Sequence, residues 1–399
     1  MELSSRERLL KAFNCQKPDY VPCSFMLFNA LRAEYDNDYD FFDKQMELGL
    51  DTIVYLPLVE RKKGETTDFE TLMGLPYRPH PDVKIKEWVD RYDQGERYPI
   101  LNKEYITPVG ILKAEVRRTP DWIFEDELAL ISDWNTPRSR KYLVRTKDDI
   151  DKLKYLLTPP TKSDIKDFKE KSIEAIKYAK KHDLLVAGMW GLGVEASAWL
   201  TGIEYMILQT VDDPSFVQEF AYFMESWNRN RMEVVLDFGV DLFIRRGWYE
   251  NADFWSPPNF KKYIYPSLKN EADMCHKADT LFTYAITKNS IILIDQIIDA
   301  GVNILLGIDP VMDPYMDMKK LKDMVKDKMG LWGGVNEPIT IQSGSEKEIK
   351  KAVEETIITL GSNGGLVLSP VDNVLLSTEE AWRNVMLFIK VWKELRDIV

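Results

Sequence analysis

Residues 239–266 (GVDLFIRRGWYENADFWSPPNFKKYIYP) hold the densest set of groups that could do chemistry. The stretch opens on a buried-strand pattern at 240–244 and passes into Arg245, Arg246, Gly247, Trp248, Tyr249, Glu250 and Asn251. Ser256 then reads as a helix N-cap, with Pro257 at the first helical position, where a missing N–H costs nothing. Two guanidiniums, a phenol and a carboxylate thus gather at the C-terminal end of a strand, the end at which parallel α/β proteins bind ligands. The bland alternative is a solvated turn with an aromatic anchor, in which Glu250 pairs with Arg246. The set of acids, phenols and arginines can protonate a departing oxygen or hold an aromatic carboxylate. Tyr249 carries its proton at neutral pH; Glu250 and Asp309 do so only if buried or beside a like charge. Tyr249 and Glu250 therefore rank first as proton donors, with Asp309 orienting or raising the other acid.

The elements that must position these groups follow a regular rhythm. Apolar strand patterns at 21–28, 51–56, 184–190, 240–245, 280–285, 303–308, 330–334 and 365–368 alternate with helical patterns. The helices include 4–15, 146–157, 163–182, 195–209, 214–238, 257–277, 290–300, 317–327, 345–360 and 377–396. Strands alternating with helices make parallel βαβ units, and eight of them predict a (β/α)8 TIM barrel, with a doubly wound open sheet as the alternative. Residues 61–135 break the rhythm with turn residues and short extended runs at 105–109 and 111–117, read as an inserted antiparallel excursion that could cover the barrel mouth. No repeat or linker is evident, so residues 1–399 are read as a single domain.

In a barrel every strand's C-terminal end points to one mouth. The substrate-binding candidates there are Asn29, Tyr55, Trp190, Arg246, Tyr284, Asn336, Ser369 and Asp372, beside the catalytic candidates Tyr249, Glu250 and Asp309. No histidine lies in a strand-end segment, so no Ser-His-Asp set is indicated. Gly191 and Gly193 lack the third glycine of a dinucleotide fingerprint. Three cysteines and three histidines, without Cys-x-x-Cys or His-x-x-x-His spacing, make a zinc site of the usual type hard to assemble. The 11 Trp, 18 Tyr and 17 Phe suit a flat, apolar ligand beyond what a core requires. A net charge of -12 without a basic stripe argues against nucleic acid. No apolar run approaches the ~20 residues that span a bilayer, and the charged N-terminus lacks a signal core, so a cytoplasmic protein is expected.

Five segments, RERLLKAFNCQKPDYVP, YITPVGIL, WYENADFWSP, IIDAGVNILLGIDP and LWGGVNEP, occur in an order that resembles the uroporphyrinogen decarboxylase superfamily, and more closely its corrinoid-dependent methyltransferase branch. The resemblance runs from about residue 5 to 395 and implies a barrel with its site at the C-terminal mouth. Thiol-methylating members resemble one another in a His-x-Cys-Gly motif and a later cysteine that bind zinc. Here Ala285 and Thr287 stand at the first two positions and Asp372 near the third, so no zinc is expected at that site. The decarboxylases' arginine-rich N-terminal motif is also absent; the comparable segment, SFMLFNALRAEY, has only Arg32.

The resemblance then implies the branch that demethylates a small donor, such as a methoxylated aromatic, and passes the methyl group to cobalamin on a partner corrinoid protein. Two other readings stay open. One is a metal-free decarboxylase of a small aromatic or pyrrolic acid, with Arg245 or Arg246 holding the carboxylate and Asp309 or Asp372 stabilising a protonated intermediate. The other is a non-catalytic scaffold that docks the corrinoid protein. Oligomeric state is not legible in the sequence.

Overall fold

Alternation of buried residues along the strands sets the architecture. The structure is a computed structural model that describes residues 3–56, 75, 78–91, 95–375 and 378–397. In chain order its strands are β1 (Ile53–Leu56), β2 (Lys84–Asp90), β3 (Ile100–Thr107), β4 (Gly110–Arg117), β5 (Ser139–Lys141), β6 (Leu185–Leu192), β7 (Leu242–Arg246), β8 (Leu281–Ala285), β9 (Ile304–Ile308), β10 (Gly330–Asn336) and β11 (Leu366–Val371). Seven of them form one parallel sheet in the order β1-β6-β7-β8-β9-β10-β11. Leu185, Ala187, Met189, Leu242, Ile244, Ile304, Leu306, Trp332 and Val367 turn inward as one cluster, while their neighbours Val186, Phe243, Leu305 and Leu331 pack outward against helices. Helix Ser5–Phe13 is part of the inner cluster, with Phe13 against Trp332 at 5.5 Å between ring centres.

The eighth stave is residues 21–28, predicted as the first strand. It lies between β11 and β1 without forming a continuous ladder, touching β11 by isolated parallel bridges at Cys23–Leu368 and Leu27–Asn373. The reason is local. Pro22 has no N–H, the Cys23 N–H goes to Asp51 Oδ2 (3.1 Å), and the Met26 N–H goes to Ser369 Oγ (2.8 Å). On the other side Asp51 N donates to the Cys23 carbonyl (2.8 Å). The (β/α)8 barrel is thus closed in part by side chains.

The predicted excursion is a four-stranded antiparallel sheet, β2-β3-β4-β5. Its β3–β4 hairpin turns at Pro108 and Val109, with Thr107 opposite Gly110, which sits at φ +139°. Its strands begin at Lys84 and end at Lys141; of the predicted span, 61–74, 76, 77 and 92–94 lie outside the described residues. Two predicted helices are broken. The 195–209 pattern becomes a short turn at Val194–Ala196, a helix at Ser197–Leu200 and another at Ile203–Asp212, separated at Gly202, whose φ is +77°. The 257–277 pattern divides into Pro257–Tyr263 and Tyr265–Lys277, with Pro266 in the first turn of the second. Among the described residues no helix is long and apolar enough to cross a membrane.

Candidate active site at the barrel mouth

Strand periodicity sends the two adjacent arginines of β7 in opposite directions. Arg245 points outward and is fully buried. Its Nη2 donates to both oxygens of Glu250 (2.9 and 3.0 Å), and its Nη1 donates to Glu271 Oε2 (2.9 Å) and Ser267 Oγ (3.1 Å). Tyr284 donates its hydroxyl to Glu250 Oε2 (2.7 Å), and the Glu195 N–H donates to Glu250 Oε1 (3.0 Å). Asn228 completes the set by donating to Glu271 (2.9 Å). Two glycines make room: a Cβ on Gly193 would lie 1.8 Å from Arg245 Nη2, and one on Gly247 would lie 2.3 Å from the Tyr284 ring.

Arg246 faces the mouth. Its guanidinium packs on Trp248 and Trp199, 4.2 and 4.9 Å from the ring centres, a cation–π arrangement. Its Nη2 donates to Asp133 Oδ2 (2.7 Å), and its Nε lies 2.7 Å from Glu195 Oε1. Asp133 belongs to the inserted excursion and also accepts from Trp199 Nε1 (3.1 Å) and the Tyr249 hydroxyl (3.2 Å). One carboxylate therefore latches the insertion onto the barrel, and the excursion does reach the mouth. Trp190 stands edge-on to Trp248, 6.4 Å between ring centres.

Four carboxylates thus converge on two arginines. Burial raises the Glu195 carboxyl to about 8; Arg246 opposes the rise, and Glu250 and Asp133 add to it. Burial raises Glu271 to about 7 against the pull of Arg245 and Asn228. Burial, then the nearby Asp133, raises the Tyr249 phenol, which stays protonated through the neutral range. Glu337 is raised to about 7 by burial, opposed by a hydrogen bond from Gln342 (2.6 Å) and assisted by Asp372.

The structure divides the predicted residues. Arg246, Tyr249 and Trp190 line the mouth together. Asp372 follows the end of β11 with its side chain partly exposed and its backbone at φ +83°; desolvation by the surrounding mouth, then the charges of Asp133 and Asp309, raises its carboxyl against the pull of the Asn373 N–H and Arg246. Tyr55 is half-buried with its hydroxyl 3.5 Å from the Met26 carbonyl. Glu250 corrects the expectation of a proton donor: it is fully buried, pairs with Arg245 and not Arg246, and both its oxygens are engaged. Tyr284 is equally buried behind it and holds Glu250 in place of a ligand.

Asp309 and Asn336 form a buried clasp. Asn336 Nδ2 donates to Asp309 Oδ2 (2.7 Å); Asp309 Oδ1 accepts the N–H groups of Val311 and Met312, and Asn336 Oδ1 those of Ile339 and Thr340. These bonds hold the two side chains to each other and shape the two loops that follow them. Ser369 is fully buried and seams the eighth stave to β11, accepting from Met26 N and donating to the Pro370 carbonyl (2.7 Å). Asn29 is exposed at the start of a short helix, and its backbone N–H meets Asn373 Oδ1 (3.1 Å).

Glu195, Asp133 and Trp199 escaped the sequence reading. Glu195 was placed inside a helix, yet an acid flanked by Val194 and Ala196, two residues after Gly193 at a strand end, marks a buried carboxylate. Asp133 is a single acid in an irregular stretch, 113 residues from Arg246, and no local pattern reveals it. Ala285 ends β8 and Thr287 lies two residues beyond it, and neither can ligate zinc as histidine or cysteine would. Among the described residues no three His, Cys, Asp or Glu side chains come together as a metal site.

This fold, with its site on the β-strand ends of a parallel barrel, defines an enzyme-type (β/α)8 scaffold. The uroporphyrinogen decarboxylase (URO-D) family model matches residues 129–395, and the chain belongs to that family. The matched region includes Asp133, Glu195 and both arginines, and leaves out β1 to β4. No curated protein matches the chain significantly. Among solved structures, a methyltransferase from Methanosarcina mazei superposes over 99% of both chains with a TM-score of 0.58 at 17% identity, a likeness of fold. A 3-keto-D-glucoside 4-epimerase from E. coli (TM-score 0.37, 13% identity, 58% of this chain and 92% of that one) and a D-psicose 3-epimerase from Clostridium cellulolyticum H10 (0.36, 12%, 57% and 83%) are too distant to inform the site.

Proposed function

We propose that this protein is the substrate-side methyltransferase of a corrinoid-dependent demethylation, taking a methyl group from a small methylated donor, a methoxylated aromatic first, and passing it to a corrinoid protein. The observation that carries the reading is the wall of the mouth: Arg246 packed on Trp248 and Trp199, with Tyr249 and Trp190 beside it, in a barrel of this family. The rings suit a flat donor. Family membership and the full-length likeness of fold to a methyltransferase support the class of reaction. A corrinoid held by the partner would supply the electron pair that takes the methyl carbon. The C–O bonding pair stays on the aryl oxygen, which leaves as a phenolate and must be stabilised or protonated. Arg246 offers it positive charge and Tyr249 a proton.

The decarboxylase reading would set a substrate carboxylate against Arg246, because Arg245 is fully buried behind the wall and held by Glu250 and Glu271. The loops after β8 to β11 also expose large apolar side chains, Ile292, Val311, Met312, Tyr315, Ile339 and Leu375, a surface of the kind that receives a partner protein. The test is incubation with a reduced corrinoid protein and a panel of methoxyarenes and methylamines. Methylated corrinoid should form in step with demethylated product. No transfer across the panel overturns the proposal; carbon dioxide release from an aromatic acid without corrinoid protein favours decarboxylation, and binding of the corrinoid protein without turnover favours the scaffold.

A further inference from the structure

Arg246 carries one positive charge and faces two carboxylates that are held differently. Asp133, 44% exposed, accepts three aligned hydrogen bonds, from Arg246 Nη2, Trp199 Nε1 and the Tyr249 hydroxyl. Glu195 is fully buried; its Oε2 accepts the Tyr249 N–H (3.3 Å), while its Oε1 sits 2.7 Å from Arg246 Nε with the N–H out of line, so neither atom has a hydrogen-bond partner. The aligned donors go to Asp133. One guanidinium cannot neutralise both acids, and the buried one loses more by ionising. The groups facing Glu195 are Arg246 on β7, Tyr249 and Glu250 in the following loop, Asp133 on the insertion, and behind Glu250 the pair Arg245 and Tyr284.

We propose that Glu195 is a positioning residue that sets the charge of the mouth: neutral, it leaves the Arg246–Asp133 pair without net charge, so that the guanidinium can receive a departing oxyanion; ionised, it makes the cluster net negative and repels that oxyanion. The proposal rests on the methyl-transfer reading for its role, and its charge logic stands apart from it. Burial raises the Glu195 carboxyl to about 8, and the neighbouring charge of Asp133 adds to the rise, so the change falls just above neutrality.

The experiment is binding of 4-nitrophenol, a product analogue whose phenolate is read by absorbance, measured without any corrinoid protein. Wild type should bind the phenolate about tenfold more tightly below pH 8 than above it, the order expected for one added charge at a partly buried site. Glu195→Gln should keep the tight binding at high pH. Asp133→Asn removes the like charge, so the loss should move to lower pH. Wild-type phenolate binding that is flat or rising from pH 7 to 9, or absent, overturns the proposal even if no variant folds. A Glu195→Gln protein that folds, by its circular dichroism, and still loses phenolate binding above pH 8 also overturns it. Failure of methyl transfer with this binding pattern intact sinks the function reading and leaves the Glu195 assignment standing.

Discussion

Tyr249 carries its hydroxyl to Asp133 at the mouth, while Glu250, the next residue, turns back to Arg245 in the wall. Substitution should separate them. Tyr249→Phe should slow methyl transfer about 10²-fold or more, and more for a donor with the poorer leaving phenol, as loss of a proton donor does. Glu250→Gln should show no dependence on the leaving group and should lower stability by on the order of 3 kcal/mol, because it strips a buried guanidinium of a charged partner. Rates on two ethers of different phenol pKa, with denaturant midpoints, check both; equal losses of rate for the two donors in Tyr249→Phe would remove that residue from the role.

The surplus of carboxylates also fixes a pH dependence. Unfolded glutamates ionise near pH ~4.3, whereas folded Glu195 and Glu271 keep protons up to about 8 and about 7. Between these limits the folded protein binds more protons than the unfolded chain, so these groups make stability fall as pH rises through that window and contribute no slope above it. Urea midpoints from pH 5 to 8 should fall in the wild type, and Glu195→Gln and Glu271→Gln should each flatten the fall. The mouth residues legible in sequence were those at or just past a strand end, Trp190, Arg246 and Tyr249. Those that could not were partners recruited across 54 to 116 residues, because no local spacing encodes a meeting of loops.

At the scale of elements, the strands were legible because buried parallel strands are short apolar runs between helical patterns. β7 is found at Leu242–Arg246 against a predicted 240–245, and β8 at Leu281–Ala285 against 280–285. The helix boundaries at Gly202 and Pro266 were less legible, since the apolar period runs through both. The eighth stave was visible as an apolar run, but its closure by Asp51 and Ser369 was not, because side chains replace a ladder there. Ser369→Ala should therefore leave the Met26 N–H buried without its acceptor and cost about 1–3 kcal/mol. Chemical denaturation measures this; a change within error would show that the seam does not hold the stave.

For the whole molecule, the zinc expectation rests on Ala285, Thr287 and Asp372, the positions that the sequence resemblance sets against a histidine and two cysteines; of the three, only Asp372 can be a ligand. Elemental analysis of the purified protein is expected to give well below one zinc per chain, and a full equivalent that survives chelator would refute this.

The mouth itself is asymmetric. On one side the inserted sheet reaches it through Asp133. On the other, the loops after β8 to β11 leave apolar side chains in solvent, and their placement is built. Asp309 caps the turn bearing Val311 and Met312, Asn336 caps the turn bearing Ile339, and the bond between the two side chains ties the turns together. Exposed apolar residues singly mean little; several on tied neighbouring loops beside the candidate site suit a protein partner. If the corrinoid protein approaches over this half, Tyr315→Asp and Ile339→Asp, 61% and 51% exposed in the free protein, should weaken its binding about tenfold or more each. They should leave the melting temperature and the affinity for the small donor unchanged, since neither side chain lines the aromatic wall. Calorimetry with the corrinoid protein and, separately, with the donor resolves the two. Unchanged partner affinity in both variants would place the docking surface elsewhere, and a change in self-association instead would assign this rim to a second copy of the chain.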